Sequence, residues 1–474
     1  MIQKKYETVL NRLKKHKQEH LLAFWKQLDD GGKENLLAQI EQIDFAALDS
    51  KIEQYVKNPA PMALPSKIEP APAYSAVPKT PDEKKKFAAA QQFGAELISK
   101  GKIAAFVVAG GQGTRLGFNG PKGGFQVSPV KNKMLFQLFA ETIKAAGKKY
   151  GFQPRWYIMT SPLNYEPTRR IFKDNNFYGL SEDSVIFFQQ GTEVNFSADG
   201  KILLAEKDTL ASSPDGHGGS LKAFYKSGAV DDMEKHGVEY ISYFQVDNPL
   251  INIFDPVFIG LHAMDGAEMS SKALIKAEPL EKVGNFCIGD GKMTVIEYSD
   301  LPDELAYKKN SDGSLVFSFG SIAIHIISRV FIERLNAKGF ALPYHRAVKK
   351  IPYIDTQTGQ AIKPEKPNGV KLETFVFDAL PLAKKSVILE TIRSQEFAPV
   401  KNAEGVDSPA VTRQMMTERS AGWLEAAGVK VPRKPNGSPD CTIELAPSFA
   451  IHKEDVAAKK PNIKIEPGQK LYLE

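Results

Sequence analysis

The chain has 474 residues, with 62 basic against 56 acidic side chains for a formal net charge of +6, and 42% of its residues are hydrophobic. That length implies two or three domains around at least one substantial core, and the slight, dispersed positive balance excludes the clustered basic stripe of a nucleic-acid binder. Two cysteines, Cys287 and Cys441, no signal-like apolar start and no apolar run near the length of a membrane span point to a reducing, cytoplasmic compartment and no membrane partner.

Residues 1 to 57 carry helical periodicity, with apolar positions at Tyr6, Leu10 and Leu13, then Leu21, Phe24, Trp25 and Leu28, then Leu36, Ile40 and Ile43. Basic residues fill the other face, as on helices packed against their own protein. Between Asn58 and Pro81 frequent prolines interrupt regular structure and predict a semi-extended connector. Thr80-Pro81-Asp82-Glu83 then has the form of a helix start, with Thr80 as cap and acids at the positive end; the helix should reach Lys100 and stop at Gly101.

Strand candidates follow at 103–109, 156–161, 185–190 and 241–247, with helix candidates at 132–150 and 219–236 between them. Such alternation predicts an α/β protein with a doubly wound, mainly parallel sheet, whose ligands sit beyond the carboxyl ends of the strands. Near the end, Cys441–Leu445, Ile463–Ile465 and Leu471–Leu473 suggest a small β-rich domain. The expected divisions are therefore 1–80, 81–390 and 391–474.

The chemistry begins where the first of those strands ends. Ala109-Gly110-Gly111-Gln112-Gly113-Thr114-Arg115-Leu116-Gly117, followed by Pro121-Lys122-Gly123-Gly124, reads as a loop for nucleotide phosphates. Glycines let the backbone turn its N–H groups toward an anion, Arg115 supplies a fork of donors, and Lys122 a mobile positive charge. Leu116 stands where a dinucleotide fingerprint needs its third glycine, and no Walker ending in Gly-Lys-Ser/Thr is present. What remains resembles the G-G-x-G-T-R-L signature of sugar nucleotidyltransferases.

Later strand ends add weaker signals. Gln189-Gln190-Gly191 places amides where a uracil edge could be read, and Ser213-Pro214-Asp215-Gly216-His217-Gly218-Gly219-Ser220 is a second glycine-rich turn leading into a helix candidate. Asp247-Asn248 closes the apolar strand 241–246, a suitable place for a carboxylate holding Mg²⁺.

Taken in order, residues 104 to 136, Trp156–Ser161, Phe187–Gly191, Pro214–Gly219, Val246-Asp247-Asn248, Val295–Tyr298 and Leu372–Asp378 resemble the UDP-N-acetylhexosamine pyrophosphorylases, within the eukaryotic-type UDP-sugar pyrophosphorylases. The resemblance covers about residues 80 to 405. It implies a Rossmann-like nucleotidyltransferase domain and a uridylyltransferase that joins UTP to a sugar 1-phosphate and releases pyrophosphate with Mg²⁺ as cofactor. Carried to matching positions, it implies Arg115, Lys122 and Lys401 at the phosphates and Ala109, Gly110, Gly111, Gln190 and Gly216 against the nucleotide. Lys371 is a further nucleotide contact, and Asp247 holds the metal. The sugar pocket is expected to include His217, Gly284, Glu297, Tyr298, Ser321 and Phe375.

Two departures leave the sugar open. His217 stands where the N-acetylhexosamine enzymes have Asn, and Gly320-Ser321-Ile322-Ala323-Ile324-His325 replaces their G-N-I-A-N-H. Ser321 is shorter than Asn and Ile324 donates no hydrogen bond. N-acetylglucosamine 1-phosphate and an unsubstituted hexose 1-phosphate are both compatible with the residues, and a non-catalytic UDP-sugar sensor is the reading from a different class. Oligomeric state is not legible.

Overall fold

The apolar stripe of the first 57 residues is covered by two distant stretches of chain. In the computed structural model, which describes residues 2–59 and 64–474, the chain divides into two units, each built from separated segments. The first unit combines residues 1–64, 190–220 and 342–378. Its helices α1 (Ile2–Lys15), α2 (Asp30–Glu41) and α3 (Phe45–Lys51) follow the predicted periodicity, and Asp29 and Asp44 cap the last two. Val9, Leu13, Leu36, Leu37, Ile40 and Leu48 pack against Phe196, Ile202, Leu204, Val370 and Leu372. Arg12, Lys14 and Lys15 remain exposed, so the basic face of α1 is a solvated one. An antiparallel sheet of His345–Lys349, Gly369–Glu373 and Phe196–Ser197 completes this unit's framework.

The second unit comprises residues 65–189, 221–341 and 379–474. Among the described residues it holds a ten-stranded sheet: β1 (Ile68–Pro70), β2 (Ile103–Val108), β3 (Trp156–Thr160), β4 (Val185–Gln189), β5 (Tyr240–Gln245), β6 (Met269–Ile275), β7 (Asn285–Gly289), β8 (Lys292–Ile296), β9 (Phe319–Ser328) and β10 (Ser386–Thr391). Four strands in the order β5-β2-β3-β4 pair in parallel, as the alternating pattern predicts. Beyond β5 the long strand β9 runs antiparallel to β5, β6 and β7, while β6 and β10 pair in parallel. The β6–β9 register shifts between Ser271 and Ala273, and Ala323 opposite that shift has φ +54°, a bulge of the kind that re-aims side chains beside a site.

Helix α4 (Pro81–Ser99) begins with the predicted capping box, Thr80 accepting from the Glu83 N–H and Glu83 accepting from the Thr80 N–H. It crosses α5 (Pro256–Met264) so closely that only glycine fits at the contact: a Cβ on Gly94 would lie 1.8 Å from the Pro256 carbonyl, and one on Gly260 1.8 Å from that of Ala90. The core beneath gathers Ile103, Ala105, Val107, Phe136, Phe139, Trp156, Ile158 and Phe244.

Three expectations are corrected. The proline-rich connector is not wholly irregular: Ile68–Pro70 adds to the sheet as β1 on β7, and Tyr74 bridges to Leu389, because proline is tolerated on an edge strand; residues 60–63 of the connector lie outside the described residues. The helix expected at 219–236 is two helices, Gly219–Lys226 and Ala229–Lys235, separated at Gly228 with φ +80°. In the last eighty residues Thr442–Leu445 pairs in parallel with Lys470–Leu473, but 463–465 forms no strand, and an 18-residue helix α6 (Pro409–Ala426) precedes them. Among the described residues no helix is long and apolar enough to cross a membrane.

Candidate functional site

Strand β2 ends against β3, where the Ala109 N–H donates to the Met159 carbonyl at 2.8 Å, and the glycine loop leaves the sheet from there. Asn164, fully buried in the helix Pro162–Asp174, holds the loop from beneath. Its amide nitrogen donates to the carbonyls of Gly110 (2.8 Å) and Gly111 (3.0 Å), and its oxygen accepts from Gln112 Nε2 at 2.6 Å. The Gly111 carbonyl also accepts from the Lys122 N–H at 3.0 Å, and the Gly113 N–H donates to Gly120 at 2.9 Å. Since a planar trans peptide points its N–H opposite to its carbonyl, the Gly111 and Gln112 N–H groups face away from Asn164, as an anion cradle requires.

The side chain of Lys122 lies over that cradle, its Cε 4.0 Å from where a Cβ on Gly111 would stand. Burial lowers its pKa from the ordinary lysine value; the negative charge of Asp247 opposes this, while Lys401 and Arg115 add to it. Arg115, Lys122, Lys401 and Asp247 therefore share one electrostatic neighbourhood. Arg115 is exposed, and among the described residues neither it, Lys122 nor Asp247 forms a side-chain ion pair. Lys401 lies 4.0 Å from Asp407, whose carboxyl is pushed above its usual range by burial.

Asp247 reaches this place through a cross-link of two segments. Its carbonyl accepts from the Val400 N–H at 2.8 Å, one residue before Lys401. The neighbouring Asn248, buried, donates through Nδ2 to the Glu396 carbonyl (2.8 Å) and accepts through Oδ1 from the Ala398 N–H (3.1 Å). Among the described residues no group of three or more His, Cys, Asp and Glu side chains gathers into a closed cage. A lone, hard-oxygen carboxylate beside a phosphate loop fits Mg²⁺, which keeps its waters and takes substrate oxygens, better than zinc.

Four of the expected sugar residues collect at the end of β7, β8 and β9. A Cβ on Gly284 would collide with Val295 at 2.4 Å and lie 3.5 Å from Glu297 Oε1, and the Gly284 carbonyl accepts from the Ser321 N–H at 2.8 Å. Glu297 is half-buried and Tyr298 exposed. Ile324, by contrast, is buried in the main hydrophobic core.

The remaining candidates belong to the first unit. Gly216 has φ +84°, and a Cβ there would stand 2.3 Å from the Thr374 carbonyl. Gln190 donates to that glycine's carbonyl at 2.8 Å and to Asp215 Oδ1 at 3.2 Å. His217 Nδ1 accepts from the Val376 N–H at 3.0 Å, so its proton is on Nε2. Burial holds it down to about 4, the carboxylates of Asp378 and Glu373 opposing and His345 adding, which leaves a neutral imidazole. Phe375 stacks on His217 (centroids 5.1 Å apart, planes at 9°) and on His345 (4.1 Å, 24°), and His345 Nε2 bonds Asp378 at 2.7 Å. Lys371 is ion-paired with Glu373 two residues along the same strand.

Sequence reasoning did not single out Asn164 or Glu396, and it quoted Asn248 beside Asp247 without giving it a role. All three bond backbone groups distant in sequence, and that part of their work has no local mark. Asp215 was within reach, inside the quoted glycine turn: its carboxylate fills the space that Cβ atoms on Gly191 and Gly219 would occupy, at 2.5 and 2.1 Å.

Residues 49–463 match the family described as UTP–glucose-1-phosphate uridylyltransferase. The chain is similar to the Homo sapiens UDP-N-acetylhexosamine pyrophosphorylase-like protein 1, 37% identical over 477 residues that cover 94% of this chain and 93% of that one. Its identity to the Saccharomyces cerevisiae UDP-N-acetylglucosamine pyrophosphorylase is 36% over 430 residues, 87% and 90% of the two chains. Among solved structures, the uridine diphosphate N-acetylglucosamine pyrophosphorylase of Trypanosoma brucei superposes with a TM-score of 0.83 at 25% identity, covering 99% and 98%. A putative UDP-N-acetylglucosamine pyrophosphorylase of Entamoeba histolytica gives 0.74 at 31% identity, covering 86% and 99%.

Proposed function

Because the chain belongs to the UTP–glucose-1-phosphate uridylyltransferase family and is a UDP-sugar pyrophosphorylase, we propose that it forms UDP-N-acetylglucosamine and pyrophosphate from UTP and N-acetylglucosamine 1-phosphate. A phosphate oxygen of the sugar phosphate bonds to the α-phosphorus of UTP, the bond to the β-phosphate's bridging oxygen breaks, and pyrophosphate departs with that electron pair. No covalent enzyme intermediate is needed, so the protein's work is placement and charge.

The observation that carries this reading is the convergence of Arg115, Lys122, Lys401 and Asp247 beside the glycine loop. The N–H groups of Gly111 and Gln112 take phosphate oxygens, and Arg115, Lys122 and Lys401 balance the charge that grows on the departing pyrophosphate. Mg²⁺, when bound, shields the phosphate oxygens from one another, and Asp247 is the carboxylate to hold it. Within the second unit the family motifs assign Ala109 and Gly110 to uridine and Gly284, Glu297, Tyr298 and Ser321 to the sugar; within the first they assign Gln190, Gly216 and Lys371 to the nucleotide and His217 and Phe375 to the sugar.

Ile324 is absorbed by core packing, which leaves Ser321 and His217 as the departures that bear on the sugar. The parallel run β5-β2-β3-β4 supports a doubly wound, Rossmann-like reading of the nucleotidyltransferase. A separate core of Ala421, Leu424, Ile443 and Val456 supports a C-terminal domain. Two unpaired cysteines fit a cytoplasmic setting. The test is pyrophosphate release from UTP with glucose, galactose, N-acetylglucosamine and N-acetylgalactosamine 1-phosphates. The highest kcat/KM should fall to N-acetylglucosamine 1-phosphate; a preference for glucose 1-phosphate overturns the sugar assignment, and turnover with none overturns the enzyme.

A further inference from the structure

Behind Asp247 and Lys401 lies a buried ionic cluster that the proposed chemistry does not use. Lys272 of β6 is 1% exposed, yet its Nζ donates to Asp255 Oδ2 at 2.6 Å and to both oxygens of Glu396 at 2.5 and 2.6 Å. Glu396 also accepts from Thr391 Oγ1 at 2.8 Å and from the Asn252 N–H at 3.2 Å. Burial disfavours charge on Lys272, but the two carboxylates outweigh it and hold its pKa above the ordinary lysine value. The half-buried guanidinium of Arg419 interacts with Glu396 as well and donates to the Leu250 and Gln395 carbonyls.

Such a cluster is a poor route to stability, since desolvation cancels much of its Coulomb gain and apolar side chains of equal volume do as well. What it accomplishes is geometric. Glu396 is clamped in place, its carbonyl accepts from Asn248, and Asn248 accepts in turn from the Leu250 and Ala398 N–H groups at 3.3 and 3.1 Å. The loop carrying Asp247 and the segment carrying Lys401 are thus joined by one amide side chain and by the Val400-to-Asp247 backbone bond.

We propose that Asn248, anchored through Glu396 to Lys272 and Asp255, is a positioning residue that sets the carboxylate of Asp247 and the ammonium of Lys401 at their working separation. The proposal rests on the assignment of those two residues to the metal and the phosphates. The Asn248 amide is engaged by the Glu396 carbonyl and the Leu250 and Ala398 N–H groups, so it acts through its neighbours, as groups behind a metal ligand commonly do.

Asn248→Ala and Glu396→Gln test it. Both variants are expected to lose about 10- to 100-fold in kcat or in Mg²⁺ half-saturation, with KM for UTP changed by less than about threefold. In both, hydrogen exchange at the Ala398 and Val400 amides should accelerate while the β2 and β3 amides keep their protection. If both fold with kcat, Mg²⁺ half-saturation and exchange within about twofold of the parent, the inference is overturned. Should Asn248→Ala fail to fold, Glu396→Gln decides on the same readouts. A parent protein inactive with every sugar phosphate would sink the enzyme assignment instead, and exchange at Ala398 and Val400 would still report whether Asn248 joins the two segments.

Discussion

Asn164→Asp changes one atom of a fully buried side chain, and its consequence can be worked from the contacts. The amide nitrogen that donates to the Gly110 and Gly111 carbonyls at 2.8 and 3.0 Å becomes an oxygen, so two bonds are lost and lone pairs face lone pairs. Two net hydrogen bonds amount to about 2 kcal/mol, and leaving the half-buried Gly110 carbonyl unsatisfied adds about 1–3 kcal/mol, while the Gly111 carbonyl keeps its bond from the Lys122 N–H. The bond from Gln112 Nε2 becomes charge-assisted and returns about 1 kcal/mol. A net cost of about 3 kcal/mol follows, and the loop can relieve it only by turning those peptides, which withdraws the Gly111 and Gln112 N–H groups from the phosphates. At about 1.4 kcal/mol per decade this corresponds to roughly a 100-fold fall in kcat/KM for UTP. Initial rates of pyrophosphate release against UTP concentration, with circular dichroism to verify the fold, measure it. A folded variant whose kcat/KM lies within about threefold of the parent would refute the reasoning.

Asp247→Ala and Lys122→Ala should each abolish pyrophosphate release while leaving the thermal midpoint within a few degrees, since neither side chain has a structural ion pair among the described residues; unchanged turnover in both removes them from the site. Gly216→Ala forces a Cβ to 2.3 Å from the Thr374 carbonyl at φ +84°, so uridine affinity measured by calorimetry should fall at least tenfold, a loss of about 1.4 kcal/mol or more. Gly260→Ala pushes α4 from α5 and should cost about 1–3 kcal/mol or more, read as a lower denaturant midpoint. His217 and His262 are held down to about 4 and about 3, both by burial first. Their folded forms stay neutral while the unfolded chain gains protons below about pH 6.5, so stability should decline as pH falls from about 6.5 toward 4; a flat thermal midpoint between pH 7 and 5 contradicts this.

The parts of the site that could be read in the sequence are those whose cause is local. Apolar runs ending in glycine or acid produced β2 with its loop and β5 with Asp247, and Thr80 to Glu83 announced a capping box that forms. Lys371 shows the limit of such reading: the resemblance offered it as a nucleotide contact, but its strand, Gly369–Glu373, and its pairing with Glu373 depend on rotamers and neighbours. Proline counting likewise hid β1, because an edge strand needs only the donors that proline happens to leave.

Periodicity, caps and turn glycines act within a few residues, and the sequence by itself determined from them the α/β class, while resemblance to the family motifs supplied the reaction. Tertiary structure alone decided that residues 190–220 and 342–378 join the N-terminal helices in one unit. It also decided that Asn164 pins the loop, that Lys122 feels the charges of Asp247 and Lys401, and that a buried lysine is shared by two carboxylates behind them. Each of these joins residues separated by tens to hundreds of positions. Such contacts depend on how whole elements pack to exclude water, a quantity no short window of sequence contains.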